Sequence, residues 1–310
     1  MSPDFVMLDL APMLIGALAA MACALPGNFL LLRRQALIGD AIAHVALPGI
    51  VAAFLATGAA ATGPMMLGAG AAALLAAALI EAIRRLGRIE PGAAMGVVFT
   101  SMFAAGVLML EASDASSVHL DVEHALHGNL ESLIWLDGLA GWSAWLDPDA
   151  RAGLPPELAR MAWVFAALLA LTLIFRRPLA LSTFDEGYAR ALGLPTTLIG
   201  FGLVAAAAAA AVAAFDAVGS ILAIAMFICP PAAARLCTDR LSVQIALSLA
   251  FAALSAVLGV ALAGWAPAWL GLPGSVSAAG MIAWVAGAIL ALACLFGPRR
   301  ARAGGVEGAV

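Results

Sequence analysis

The chain contains no lysine; its fifteen basic residues are all arginines. A P-loop of the GxxxxGK[ST] type needs a lysine to reach the phosphates, so this polypeptide is not its own Walker-type ATPase. A lysine Schiff base is excluded for the same reason. Charge of any kind is scarce. Only 11% of residues are charged, against about 25% in soluble proteins. Basic patches interleaved with aromatics are missing, which speaks against nucleic acid as a partner. The four cysteines, Cys23, Cys229, Cys237 and Cys294, lie in or beside apolar runs without CxxC spacing. They read as small core residues rather than a disulfide framework or a zinc knuckle. There is no GxSxG elbow and no HExxH helix, which argues against the hydrolases built on them.

What fills the chain is apolar: 64% of its 310 residues are hydrophobic and the mean hydropathy is +1.05. Such a chain divides better into membrane spans of roughly 20 apolar residues than into soluble domains. Nine spans are expected, near 11–32, 37–57, 63–83, 93–110, 158–175, 195–214, 217–236, 242–265 and 275–296. The expected fold is therefore an all-α polytopic membrane protein. It forms a single transmembrane domain over residues 1–300, with a tail at 301–310. Its Ala- and Gly-rich helices suit close packing in lipid. Asp4 and Asp9 precede the first apolar run and no basic flank does. That run is expected to be a retained span rather than a cleaved signal peptide.

Arginine supplies the orientation. Arg33 and Arg34 close span 1, and Arg84, Arg85 and Arg88 follow span 3. Arg176, Arg177 and Arg190 follow span 5, Arg235 and Arg240 span 7, and Arg299, Arg300 and Arg302 span 9. If nine spans alternate, these thirteen share one side and only Arg151 and Arg160 do not. The positive-inside rule makes that side cytoplasmic. The N-terminus is then external and the C-terminus cytoplasmic. Eight spans would scatter the arginines over both faces.

Two connections are too long for simple turns. The external one, 111–157, holds nine acids and His119, His124 and His127. Its LESLIWLDGLAGWSAWL part carries three tryptophans and either lies at the interface or folds back into the bundle. The acids can be a solvated outer face. The cluster HLDVEHALHGN also offers mixed N/O ligands, such as His119 and Asp121, for zinc, manganese or iron(II). The cytoplasmic connection, 176–195, reads RRPLALSTFDEGYARALGLP. Ser182 or Thr183 can cap a short helix with Asp185 and Glu186 in its first turn, ended by Gly193 and Pro195. This amphipathic stub is either a docking surface for a cytoplasmic partner or an ordinary interfacial helix. Phe184 and Leu192, eight positions apart, can share one face as an apolar anchor, with Arg190 and Asp185 at its rim.

Asp40 and His44 lie inside the second span. Ionisable side chains are expensive in hydrocarbon and rarely occur there without a partner or a water-filled path. On a helix, i and i+4 share one face. A carboxylate and an imidazole so placed can be ligands for a divalent transition metal, or a hydrogen-bonded pair pinning two helices. Their depth is roughly 5–12 Å from the inner boundary at 1.5 Å per residue.

These segments together resemble the permease of the zinc/manganese/iron class of ABC metal importers. The likeness runs from about Met13 to Arg300. It rests on LLRRQALIGDAIAHVALPG, GRIEPGAAMGVVFTSMFAAGVLML and HLDVEHALHGNL, then STFDEGYARALGLP, AFDAVGSILAIAMFICPPAAARLCTDR and LFGPRR, in that order and spacing. HLD ahead of HALHGNL is more similar to the manganese/iron branch. The resemblance implies an importer-type permease in the plasma (inner) membrane of a bacterium. It implies a second permease copy or paralogue, cytoplasmic ABC ATPase subunits that use the ATP, and an external metal-binding protein. It implies a divalent metal as cargo and no permanently bound cofactor. The family's Asp and His of the GDA-x-x-H motif, which point into the translocation path, match Asp40 and His44. Its coupling helix matches Phe184, Asp185, Ala191, Leu192 and Gly193. The acidic position before Val-Gly in the seventh span, often glutamate, is Asp216 here. Two other functions use similar residues: an ion-coupled secondary metal carrier, and an intramembrane metalloenzyme. The missing clear repeat disfavours the first, and the missing complete catalytic metal motif the second.

Overall fold

A computed structural model describes residues 3–58, 62–87, 89–112, 130–137, 147–269, 271 and 276–297. Among these residues helices are the only regular secondary structure, with nine stretches long and apolar enough to cross a membrane. A short α1 (Pro3–Leu8) leads into α2 (Leu10–Leu32), followed by α3 (Ile38–Thr57), α4 (Thr62–Gly87) and α5 (Pro91–Ala112). After α6 (Pro148–Ala152) come α7 (Pro156–Ile174), α8 (Arg176–Phe184), α9 (Glu186–Ala191), α10 (Thr196–Cys237), α11 (Leu241–Trp269) and α12 (Ala278–Phe296). The span boundaries agree with the sequence expectation to within a few residues, because hydropathy and length set them.

The helix α10 holds two spans in one run. At 1.5 Å per residue its 42 residues would stretch about 63 Å, roughly twice a bilayer core. It folds back instead. Its start, at Gly200, packs beside Arg33. Near its end, the Phe227 backbone touches Gly27 and its ring Gly39, both close to that same end of α2. Gly219, with φ 77° and ψ 169°, is the non-helical residue within the run. Only glycine adopts that conformation without steric cost. The spans within it are Thr196–Phe215 and Ala217–Cys237, as the sequence reading has them.

Helix α2 is the most enclosed element, buried along almost all of Ala11–Leu30. It packs against α7, α10 and α11, while α3 packs against α4, α5 and α10. Small residues allow this. A Cβ on Gly49 of α3 would sit 2.2 Å from the Gly68 carbonyl of α4, and the reverse holds equally. Lipid provides no hydrophobic drive between helices, so such backbone contact is what brings them together.

The interior is not wholly apolar. Asn28, Gln244 and Ser248 are fully buried. Asn28 Nδ2 donates to Ala24 O at 2.7 Å and to Ser248 Oγ at 2.6 Å. Gln244 Nε2 donates to Asn28 Oδ1 at 3.1 Å. Arg235 Nη1 reaches Gln244 Oε1 at 3.5 Å. Polar groups withdrawn from water need such partners, and these tie α2, α10 and α11 together.

At the other end, part of the long connection folds back onto the bundle. Trp135 is fully buried, packed with Ala11. Its indole N–H donates to Ala150 O at 2.8 Å, and its backbone N–H to Met7 O at 2.9 Å. Glu131 accepts from the Ala278 N–H at the start of α12. Trp142 and Trp145 lie outside the described residues. The four cysteines are free. Cys23 is buried in the core as expected, but Cys294 is exposed on α12, where the apolar run faces outward instead of inward.

Candidate metal centre and coupling segment

Asp40 and His44 occupy the first two turns of α3. The next residues fix the orientation of that helix. Val45 packs with Ala72 and Ala76 of α4 and Val98 of α5. Ala46 packs with Ala69 of α4 and Val212 of α10. The remaining face carries the Asp40 and His44 side chains, 40% and 39% exposed. At 1.5 Å per residue they lie about 3 and 9 Å along the helix from its start, Asp40 near the arginine-bearing end and His44 towards the middle.

His44 Nε2 stands 3.5 Å from Asp40 Oδ1. Two donors each about 2.1 Å from one ion at the tetrahedral angle are about 3.4 Å apart. That separation fits a shared metal as well as a direct Asp–His pair. The imidazole is held from behind. Phe99 of α5 lies tilted against it at a centroid distance of 5.4 Å, and Phe103 meets it edge-on at 5.7 Å. These two rings carry no polar signature in the sequence. Only a 4-residue repeat on α5 opposite His44 would have marked them. No cluster of three or more His, Cys, Asp or Glu that could hold a metal ion occurs among the described residues.

The other sequence candidates stand apart. His119 and Asp121 lie outside the described residues, as do His124 and His127. The backbone of Asp216 lies where the two spans of α10 meet, three residues before Gly219; its side chain is outside the described residues. Nearby, Val212 and Phe215 pack with Ala46 and Ile50 of α3.

The segment 176–195 differs from the single capped helix expected of it. It is two helices, α8 and α9, broken at Asp185, where φ is −147° and ψ is 92°. The cap is Asp185, not Ser182 or Thr183: its Oδ1 accepts from Tyr188 N–H at 2.8 Å. A carboxylate is the stronger acceptor for a helix N-terminus, both as cap and through the dipole. The Ser182 and Thr183 hydroxyls instead accept from Arg33, at 2.7 Å from Nη2 and 3.1 Å from Nε. Phe184 closes α8 while Leu192 caps α9, so helical spacing across the break does not relate them. Both are exposed, as is Tyr188 between them, the chain's single tyrosine.

Arg190 does not orient the rim with Asp185. Its Nη2 lies 2.5 Å from Glu186 Oε1, and its Nε donates to Thr196 Oγ1 at 3.1 Å. Burial pushes the Glu186 carboxyl up, but the hydrogen bond and charge of Arg190, with Thr196 and Arg84, together hold it below its ordinary value. Ala191 ends α9. Gly193, at φ 80°, then supplies a Schellman turn. Its N–H donates to Arg190 O at 2.9 Å, and the Leu194 N–H to Ala189 O at 3.0 Å.

At the same end a cavity of about 720 Å³ is lined by Arg33, Arg34, Glu81, Arg84, Thr183 and Glu186, with an apolar inner wall including Phe201 and Val204.

Comparison with known proteins agrees with this architecture. The chain is 38% identical over 287 residues to the manganese transport system membrane protein MntD of Bacillus subtilis (strain 168), covering 91% of this chain and 90% of that one. It is 37% identical over 286 residues to the zinc transport system membrane protein TroD of Treponema pallidum (strain Nichols), covering 92% and 73%. Its backbone resembles the PsaBC structure from Streptococcus pneumoniae in complex with Fab, with a TM-score of 0.71 and 27% identity over 93% of this chain and 91% of that one. Residues 7–136 and 154–297 match the ABC 3 transport family. By sequence and fold, the chain belongs to that family.

Proposed function

We propose that this chain is the membrane-spanning permease of an ATP-driven importer of divalent metal, manganese, iron or zinc. The observation that carries the proposal is the 3.5 Å separation of His44 Nε2 and Asp40 Oδ1 on a half-exposed face of a membrane-spanning bundle. One carboxylate and one imidazole are a borderline site that all three metals tolerate, so selectivity rests on geometry or delivery. Two ligands hold an ion loosely, which suits cargo that must leave again. A second permease copy or paralogue, apposed across the exposed face of α3, would complete the shell.

The arginine-bearing end faces the cytoplasm in this proposal, placing the N-terminus outside, in the plasma membrane of a bacterium. The segment from Phe184 to Gly193 docks on a cytoplasmic ABC ATPase. An external metal-binding protein delivers the ion past the 111–157 connection, where His119 and Asp121 can receive it. Asp216, entering the seventh span from outside, is a further stop on the path. Support for the partners is the family and the exposed apolar residues Phe184, Tyr188 and Leu192.

The test is uptake of manganese, iron and zinc, each alone and in competition, by the reconstituted complex with and without ATP. ATP-dependent uptake is expected. Uptake driven by an ion gradient without the ATPase would make the chain a secondary carrier and overturn the proposal.

A further inference from the structure

Arg33 sits at the C-cap of α2, and its guanidinium is spent on groups outside that helix. Nη2 donates to Ser182 Oγ at 2.7 Å and Nε to Thr183 Oγ1 at 3.1 Å, both in the last turn of α8. Nη1 lies over Gly200 of α10, 3.3 Å from where a Cβ would stand. Burial pushes the Arg33 pKa down, with Glu186 raising it and Arg84 lowering it further. A desolvated guanidinium makes strong charge-assisted hydrogen bonds, and its planar fork fixes two acceptors at once.

The chain after Arg33 is a hydrogen-bonded turn. Arg34, at φ 58°, is the one non-glycine residue with positive φ among the described residues. It occupies the position that glycine usually fills in a Schellman turn. The Arg34 N–H donates to Leu31 O at 3.1 Å and the Gln35 N–H to Leu30 O at 2.8 Å. The Ile38 N–H then donates to Gln35 O, and the Ala41 N–H to Leu37 O. Hydrogen bonds thus run unbroken from the end of α2 into the first turn of α3. Asp40 is seven residues from Arg33 and rides on that turn.

We propose that Arg33 is a positioning residue that ties the coupling segment to the metal-bearing helix, so that movement of α8 and α9 is passed through the 33–38 turn to Asp40 and His44. The inference rests on the transport function proposed above. Position between two sites does not by itself establish coupling, but a fork that holds Ser182 and Thr183 from a hydrogen-bonded turn gives the motion a path. Removing the fork leaves the metal ligands and the outward face of α9 in place while their movements become independent.

The experiment compares four full complexes of permease, ATPase and binding protein in proteoliposomes: wild type, Arg33→Gln, Ser182→Ala/Thr183→Val, and all three substitutions together. Arg33→Gln is expected to assemble and to keep basal ATP hydrolysis. Maximal manganese uptake, and stimulation of ATP hydrolysis by the loaded binding protein, should fall by about tenfold or more, within the usual range of a coupling free energy. The half-saturating manganese concentration should not change. The hydroxyl variant should show the same defect, and the triple variant no more than either. Wild-type uptake in either variant, additive defects, or a half-saturation that rises with the loss would overturn the proposal. If Arg33→Gln does not accumulate, the hydroxyl variant, which removes no charge, decides by the same readouts. If the wild-type complex itself moves iron or zinc but not manganese, the same readouts are taken with that metal. If it moves none of manganese, iron and zinc, the transport function falls instead. The link is then decided by melting temperatures of the same four proteins, where non-additive losses keep it and additive losses sink it.

Discussion

The Asn28 amide accepts from Gln244 Nε2 at 3.1 Å inside the bundle, where both residues are fully buried. Although 216 residues apart in sequence, they clamp α2 against α11, with Asn28 one to two turns before Arg33. Leaving a buried amide without its partner costs about 1–3 kcal/mol. Asn28→Ala should therefore lower the melting temperature of the purified permease in detergent by several degrees, and Gln244→Ala by a similar amount. The double variant should lose less than the sum, because one contact is shared. Unchanged melting in both single variants would show that the network contributes nothing.

Removal of either member of the Asp40–His44 pair should abolish or sharply reduce uptake. Loss of even an outer-shell group typically costs about 10–100-fold in metal affinity, so Asp40→Ala and His44→Ala should each lose at least that. The complex should still assemble, since both side chains lie on a half-exposed face. Wild-type uptake by the double variant in a metal-transport assay would remove the pair from the path.

A cysteine at position 216 reports whether the junction of the two α10 spans lines the path. Asp216→Cys should react with a hydrophilic thiol reagent, and manganese or the binding protein should protect it. A helix terminus also attracts carboxylates, so failure to label in any state would count for that simpler role.

Phe184→Ala should leave the metal site intact but uncouple ATP hydrolysis from transport, or release the ATPase on purification. An exposed aromatic that fills a partner's pocket typically contributes about 2 kcal/mol or more. Tyr188→Ala should act in the same direction, since Tyr188 is equally exposed on α9. Retained ATPase and normal stimulation in Phe184→Ala would exclude this segment as the coupling element.

Gly193→Ala tests the turn that follows. Nothing crowds a Cβ there, so the cost comes from φ 80° alone and should be about 1–2 kcal/mol. A loss of coupling with little loss of assembly is expected, read as reduced metal-stimulated ATP hydrolysis.

The sequence by itself determined the nine spans, because hydrocarbon thickness fixes how many apolar residues a helix needs. It also placed Asp40 and His44 on one face, because helical periodicity is local. The turn at Gly193 was legible for the same reason. Tertiary structure decided the rest. The pattern at 182–193 permits one capped helix, yet Asp185 breaks it in two. The hydroxyls of Ser182 and Thr183 go to Arg33, a donor some 150 residues away, and no local pattern encodes that contact. Nor does spacing reveal that Phe99 and Phe103 hold the His44 ring, or that Asn28 meets Gln244. Each depends on which faces of distant helices meet. In an Ala- and Gly-rich bundle that choice is made by close backbone approach and by buried polar groups finding one another, and both exist only once the helices are packed.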